Sequence, residues 1–176
     1  NKLKLNQLMD QYSENINSLS YETYVLIDIM VNFGCENIKL KLKCAMTVYY
    51  QGGMLVRACE MLDELLESET NDTRKTDILA IYANILHHHA YNPDLTQDEL
   101  DSFDSSFKAS LILNQLLNRY KKETPEWRKC WEKWFETMLI IEEPSSLKLT
   151  MKTKYESNLE IPTITALYCI AIHNCG

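Results

Sequence analysis

Ala58-Cys59-Glu60-Met61-Leu62-Asp63-Glu64-Leu65-Leu66 returns later in the chain as Ala109-Ser110-Leu111-Ile112-Leu113-Asn114-Gln115-Leu116-Leu117. The alanine and three of the leucines keep their places in both copies. Ala58, Leu62 and Leu65 stand at i, i+4 and i+7, one face of an α-helix, and a second helix can approach closely over the small alanine. Each copy therefore reads as the second helix of a helical hairpin used twice. Both also spell LxxLL, a pattern that some docking helices present to a groove. Because the leucines occupy equivalent positions in the two copies, they are expected in the hairpin cores.

Working outward from these copies, the same periodicity runs through most of the chain. Leu5, Leu8, Met9, Tyr12 and Ile16 predict a first helix, and Ser20 is a suitable N-cap for a second, carrying Tyr24, Ile27 and Val31 towards Gly34. A third is predicted over 37–51 with Leu42, Ala45, Met46 and Tyr49 on one face, broken by Gly52-Gly53, and a fourth over 54–67. Asp72 or Thr73 caps a fifth that ends before Asn92-Pro93. Thr96 to Glu99 has capping-box form and predicts a long sixth helix from there to Lys122. Thr124-Pro125 opens a seventh, since proline is well placed at the first helical position. Pro144 ends it, a weaker helical stretch follows from Leu147 to Tyr155, and Pro162 begins the last.

Leu42, Ala45, Met46, Tyr49, Gly53, Leu55, Ala58, Leu62 and Leu65 together resemble the tetratricopeptide-repeat (TPR) signature. More loosely, so do Leu79, Tyr82, Ala83 and Leu86 with Ala109, Leu113 and Leu116. The sequence departs from that family at Met46, where a small residue is usual, and in a period of about 51 residues, against the family's usual 34 or so. The resemblance implies antiparallel hairpins over about 37–67 and 73–122, with further helices over 124–143 and 162–176. The expected fold is all-α, one domain over 1–176, its hairpins stacked as a short solenoid or as an irregular helical bundle. More than roughly two-thirds of the residues should be helical, twice the ordinary share.

Composition supports this class and excludes others. Four Gly and four Pro in 176 residues are too few for the turns of an all-β chain. Apolar residues make up 45%, enough for a core, and no apolar run is long enough to span a membrane. The formal net charge of −7 argues against nucleic acid as the main partner. Small basic groups such as Lys39, Lys41 and Lys43, or Arg119, Lys121 and Lys122, read as solvated helix faces. Six scattered cysteines, without a CxxC pair, read as buried free thiols in a reducing compartment, hence an intracellular protein of cytoplasm or nucleus. The start at Asn1 and the end at Cys175-Gly176 suggest a piece of a longer chain.

No catalytic, cofactor or metal motif is present: no phosphate loop, no nucleophile elbow, no HExxH. His87, His88 and His89 point about 100° apart on a helix and cannot converge on one ion, so they read as a polar helix end that complements the dipole. Cys169 and His173 have i, i+4 spacing but no second ligand pair, and are expected to be buried for structural reasons. The expectation is a non-catalytic scaffold or adaptor, a subunit of a larger complex, that binds a peptide or helix of another protein. The alternative is a compact bundle, viral or apoptosis-regulator-like, with a groove for an amphipathic helix.

In helical repeats the first helix of each hairpin lines the concave face, here 38–51, 77–90 and 125–141. Tyr50 and Asn84 are the first candidates for partner contact, with Lys43, Thr47, Trp127 and Trp134 behind them. Aromatic rings supply contact area with little rotamer entropy to lose, and an asparagine amide can bond a peptide backbone both ways. Core packing is the competing use of Tyr50 and of the Trp127, Trp131 and Trp134 stripe.

Overall fold

The computed structural model describes residues 37–95, 101–158 and 161–174, together with Val25 and Ile29. Of the two helices expected before Asn37, only Val25 and Ile29 of the second, both helical, fall within this set. The described residues hold seven α-helices: α1 (Ile38–Tyr50), α2 (Leu55–Ser68), α3 (Asp72–Tyr91), α4 (Ser102–Arg119), α5 (Pro125–Ile141), α6 (Pro144–Glu156) and α7 (Pro162–Asn174), with a 3₁₀ turn over Pro93–Leu95. They are 85% helical and contain no strand. The all-α expectation is met.

The helix ends follow local chemistry. Asn37 caps α1, its Oδ1 accepting from the amides of Lys39 (2.9 Å) and Leu40 (3.3 Å). Gly53 ends the following turn at φ 62, a left-handed conformation that suits glycine, and donates to the Tyr49 carbonyl at 2.9 Å. A Cβ on Gly52 would stand 2.7 Å from the Val48 carbonyl oxygen, so that position excludes a side chain as well. Helix α3 is capped one residue before Asp72 and two before Thr73, the expected caps: Asn71 accepts from the Arg74 amide at 3.1 Å. Thr124 Oγ1 accepts from the Trp127 amide at 3.3 Å and Pro125 fills the first turn of α5.

One boundary differs. The expected sixth helix, opening at Thr96, gives way to α4, which starts at Ser102; Thr96 to Leu100 lie outside the described residues. Asp101 is extended (φ −87, ψ 174) and accepts from the Asp104 amide at 2.8 Å, so the cap is Asp101 and a continuous helix through it is excluded.

The chain divides into two compact units. The first comprises 1–85 with 94–99, the second 86–93 with 100–176. In the first unit α1 packs against α2. Leu40, Cys44, Ala45, Val48 and Tyr49 are buried on α1, and Leu55, Ala58, Cys59, Leu62 and Leu65 on α2. Ala58 is fully inaccessible, as its small size requires of a close approach. Tyr82 of α3 is buried and donates its hydroxyl to Asp63 of α2 at 3.0 Å. That burial, with the negative charge of Asp63, holds its phenol protonated.

In the second unit α4 packs against α5, α6 against α7, and α5 touches both α6 and α7. Ala109, Ile112, Leu113 and Leu116 of α4 meet a core that includes Trp131, Trp134 and Phe135 of α5, Leu147 and Met151 of α6, and Ile164 and Ala171 of α7. The leucines at 62, 65, 113 and 116 are all buried, so the first two leucines of each LxxLL copy are core, while Leu66 and Leu117 are half-buried. The histidine run fastens the end of α3 here. His89 is fully buried with Nδ1 2.8 Å from Ser105 Oγ, and His87 Nε2 stands 2.8 Å from Glu136 Oε2. Tyr91 donates to the Glu136 carbonyl at 2.9 Å.

The cysteines are buried at 44, 59 and 130, but Cys169 is exposed, as is His173. The expectation of burial fails for this pair because α7 turns that face outward, where Ile170 and Ile172 are exposed too. Burial pushes the Cys130 thiol up to about 12, and it donates to the Leu113 carbonyl at 3.4 Å. Such a thiol stays protonated and unreactive. Cys35 and Cys175 lie outside the described residues.

Candidate functional site on helix 4

The side chains expected to line a concave face differ in exposure within their own units. Tyr50 is 39% exposed and Asn84 is exposed, both in the first unit, and Lys43 is half-buried. Thr47, Trp127 and Trp134 are 1%, 3% and 3% exposed, which leaves almost none of their surface for a partner. Thr47 donates its hydroxyl back to the Lys43 carbonyl at 2.8 Å. The tryptophans stack edge to face along α5, Trp127 to Trp131 at 5.8 Å and Trp131 to Trp134 at 5.3 Å between ring centroids. Their chief use is packing, the competing reading of the aromatic stripe.

Exposed apolar side chains of the second unit occur on several helices, among them Leu149 of α6 at 66% and Ile170 of α7 at 46%, and three of them line up on α4. Phe103, Phe107 and Leu111 of α4 are 49%, 51% and 50% exposed. They stand four residues apart, so they form one stripe. At about 100° per residue, this stripe lies roughly opposite the face that buries Ala109, Ile112, Leu113 and Leu116. Helix α4 is thus apolar on two sides. One is consumed by the core, and the other keeps two half-exposed phenylalanines where a solvated face would carry charge.

The same side of α4 leads into a cleft. Asn114 and Asn118 continue the stripe within an arc of about 80°. They line an open cleft of about 470 Å³ together with Leu117, Lys122, Trp127, Trp131, Lys154 and Asn158. Its walls come from the C-terminal end of α4, the start of α5 and the end of α6. Lys154 lies against the indoles, its Nζ 6.0 Å from the Trp131 centroid and 5.8 Å from that of Trp134, within the range of a cation–π contact. Neither Lys122 nor Lys154 meets a carboxylate among the described residues; Glu123, next to Lys122 in sequence, pairs through Oε2 with Arg128 at 3.1 Å, and its Oε1 is buried without a partner among the described residues. The Trp131 indole N–H is buried and has no acceptor among the described residues.

Sequence reasoning named Trp127 as a candidate for partner contact on a concave face, with no cleft in view, and did not single out Phe103, Phe107, Leu111, Lys122 or Lys154 for contact. The i, i+4, i+8 spacing of the first three was readable, but the second copy of the repeat claimed α4 for the core. Lys122 was assigned to a solvated face.

Among the described residues no three His, Cys, Asp or Glu side chains are placed to hold a metal ion, and no helix is long and apolar enough to cross a membrane. Comparison with protein-family models, with curated proteins and with solved structures finds no match for this chain.

Proposed function

We propose that the chain is a non-catalytic protein-binding scaffold, a TPR-like helical adaptor whose partner docks a peptide or helix on its surface. The observation that carries this reading is the stripe of Phe103, Phe107 and Leu111, each about half exposed on one face of a helix whose opposite face already fills a core. Water penalises such a stripe by roughly 25 cal/mol for each Å² of apolar surface, a penalty relieved when a partner covers it. Three apolar side chains one turn apart match the anchor spacing of helix-in-groove and helix-to-helix docking. Exposed Tyr50 and Asn84 remain the contact candidates on the first unit.

Purification of the tagged protein from its own cells tests this. The Phe103→Ser/Phe107→Asp variant should keep its helical spectrum and its melting temperature within a few degrees, and should lose specific co-purifying proteins. An unchanged set of co-purifying proteins would remove the stripe from the account. So would a variant that unfolds while Leu111→Ser, a milder change, folds and keeps every partner.

A further inference from the structure

The cleft at the end of the stripe has a chemistry the stripe lacks. Lys122 and Lys154 face one opening without a carboxylate among the described residues, in a chain whose formal net charge is −7. A local positive site on an acidic molecule selects for negative groups by contrast with its surroundings. The amides of Asn114 and Asn118 can each donate and accept, the pairing an extended backbone asks for. Trp127 and Trp131 border the cleft but are almost wholly buried, so the surface it offers is chiefly that of its lysines and asparagines. A cleft of about 470 Å³ is within the range that holds a few side chains or a small ligand.

We infer that this cleft binds the acidic end of a partner peptide, its carboxylates on Lys122 and Lys154, with the peptide's apolar end lying along Phe103, Phe107 and Leu111. From residue 103 to residue 118 the helix rises about 22 Å, so the segment is about seven residues long if extended and about fifteen if helical. The cleft rather than the stripe sets direction and specificity, because charge placement discriminates where apolar contact does not. This inference rests on the chain being a protein-binding module.

Tryptophan fluorescence of the whole chain reports on the cleft through Trp127 and Trp131. Titration with a capped hexaglutamate peptide should give a saturable change, and the Lys122→Gln/Lys154→Gln variant should bind it at least tenfold more weakly. Binding to the unaltered chain should weaken several-fold between 50 and 200 mM salt, a readout that needs no variant to fold. Capped hexaglutamine should not bind. The inference is overturned by the absence of a saturable change, by equal binding of the glutamine peptide, or by equal affinity of the lysine variant. Inorganic phosphate binding as tightly as the peptide would also overturn it, making the cleft a small-anion site. The Phe103→Ser/Phe107→Asp variant should still bind hexaglutamate, since that probe does not reach the stripe. Failure of the cleft and failure of the docking stripe are therefore read separately.

Discussion

His87 shows how one side chain ties stability to pH. Burial is the main cause that pulls its pKa below the ordinary histidine value, with the neighbouring Glu136 carboxylate opposing. A histidine depressed in the fold is stabilising while neutral. Its contribution is full above the unfolded value of about 6.5 and declines as pH falls below it towards the folded value. Urea unfolding between pH 7.5 and pH 5 should therefore show a fall in stability, and His87→Gln should flatten it. An identical slope in the variant would mean that the ring is not desolvated as the structure has it. At Gly53 the argument is steric. Alanine there must hold φ near 62, at about 1–2 kcal/mol, so Gly53→Ala should lower the melting temperature of this 176-residue chain by roughly 2–8 °C.

At the scale of the helix, most boundaries were legible because they depend on neighbours in sequence. Asn37, Thr124-Pro125 and Pro162 act where the residue patterns placed them, whereas Pro144, expected to end α5 ahead of a helix from Leu147, instead opens α6. The start of α4 was not, because Thr96–Glu99 and Asp101–Asp104 offer competing local caps and sequence alone does not rank them. The two faces of α4 show the larger limit. Periodicity identifies apolar stripes at 103, 107, 111 and at 109, 112, 113, 116, but only packing against α5 decides which one is core. For Trp127 and Trp134 the sequence offered both core packing and partner contact, and the structure buries them. Element stability can be probed at both kinds of position. Thr124→Ala removes the cap of α5 and should reduce stability by about 1 kcal/mol. Met151→Ala, at a fully buried site on α6, should reduce it by about 2–5 kcal/mol through the cavity it leaves. A smaller loss at 151 than at 124, measured by chemical denaturation, would contradict the packing described for the second unit.

For the molecule as a whole, the account turns on an all-helical chain whose second unit has filled its core and still presents phenylalanines, beside a cleft with two lysines that meet no carboxylate among the described residues. On the proposed reading, the chain acts through what covers this surface. The most direct measurement is backbone amide hydrogen exchange of the full chain, alone and saturated with the protein that co-purifies with it. Docking along α4 predicts slower exchange on binding in residues 102–119 and at the start of α5, with α2 unchanged. Protection confined to α1 and α2, or no protection anywhere in 102–131, would contradict it.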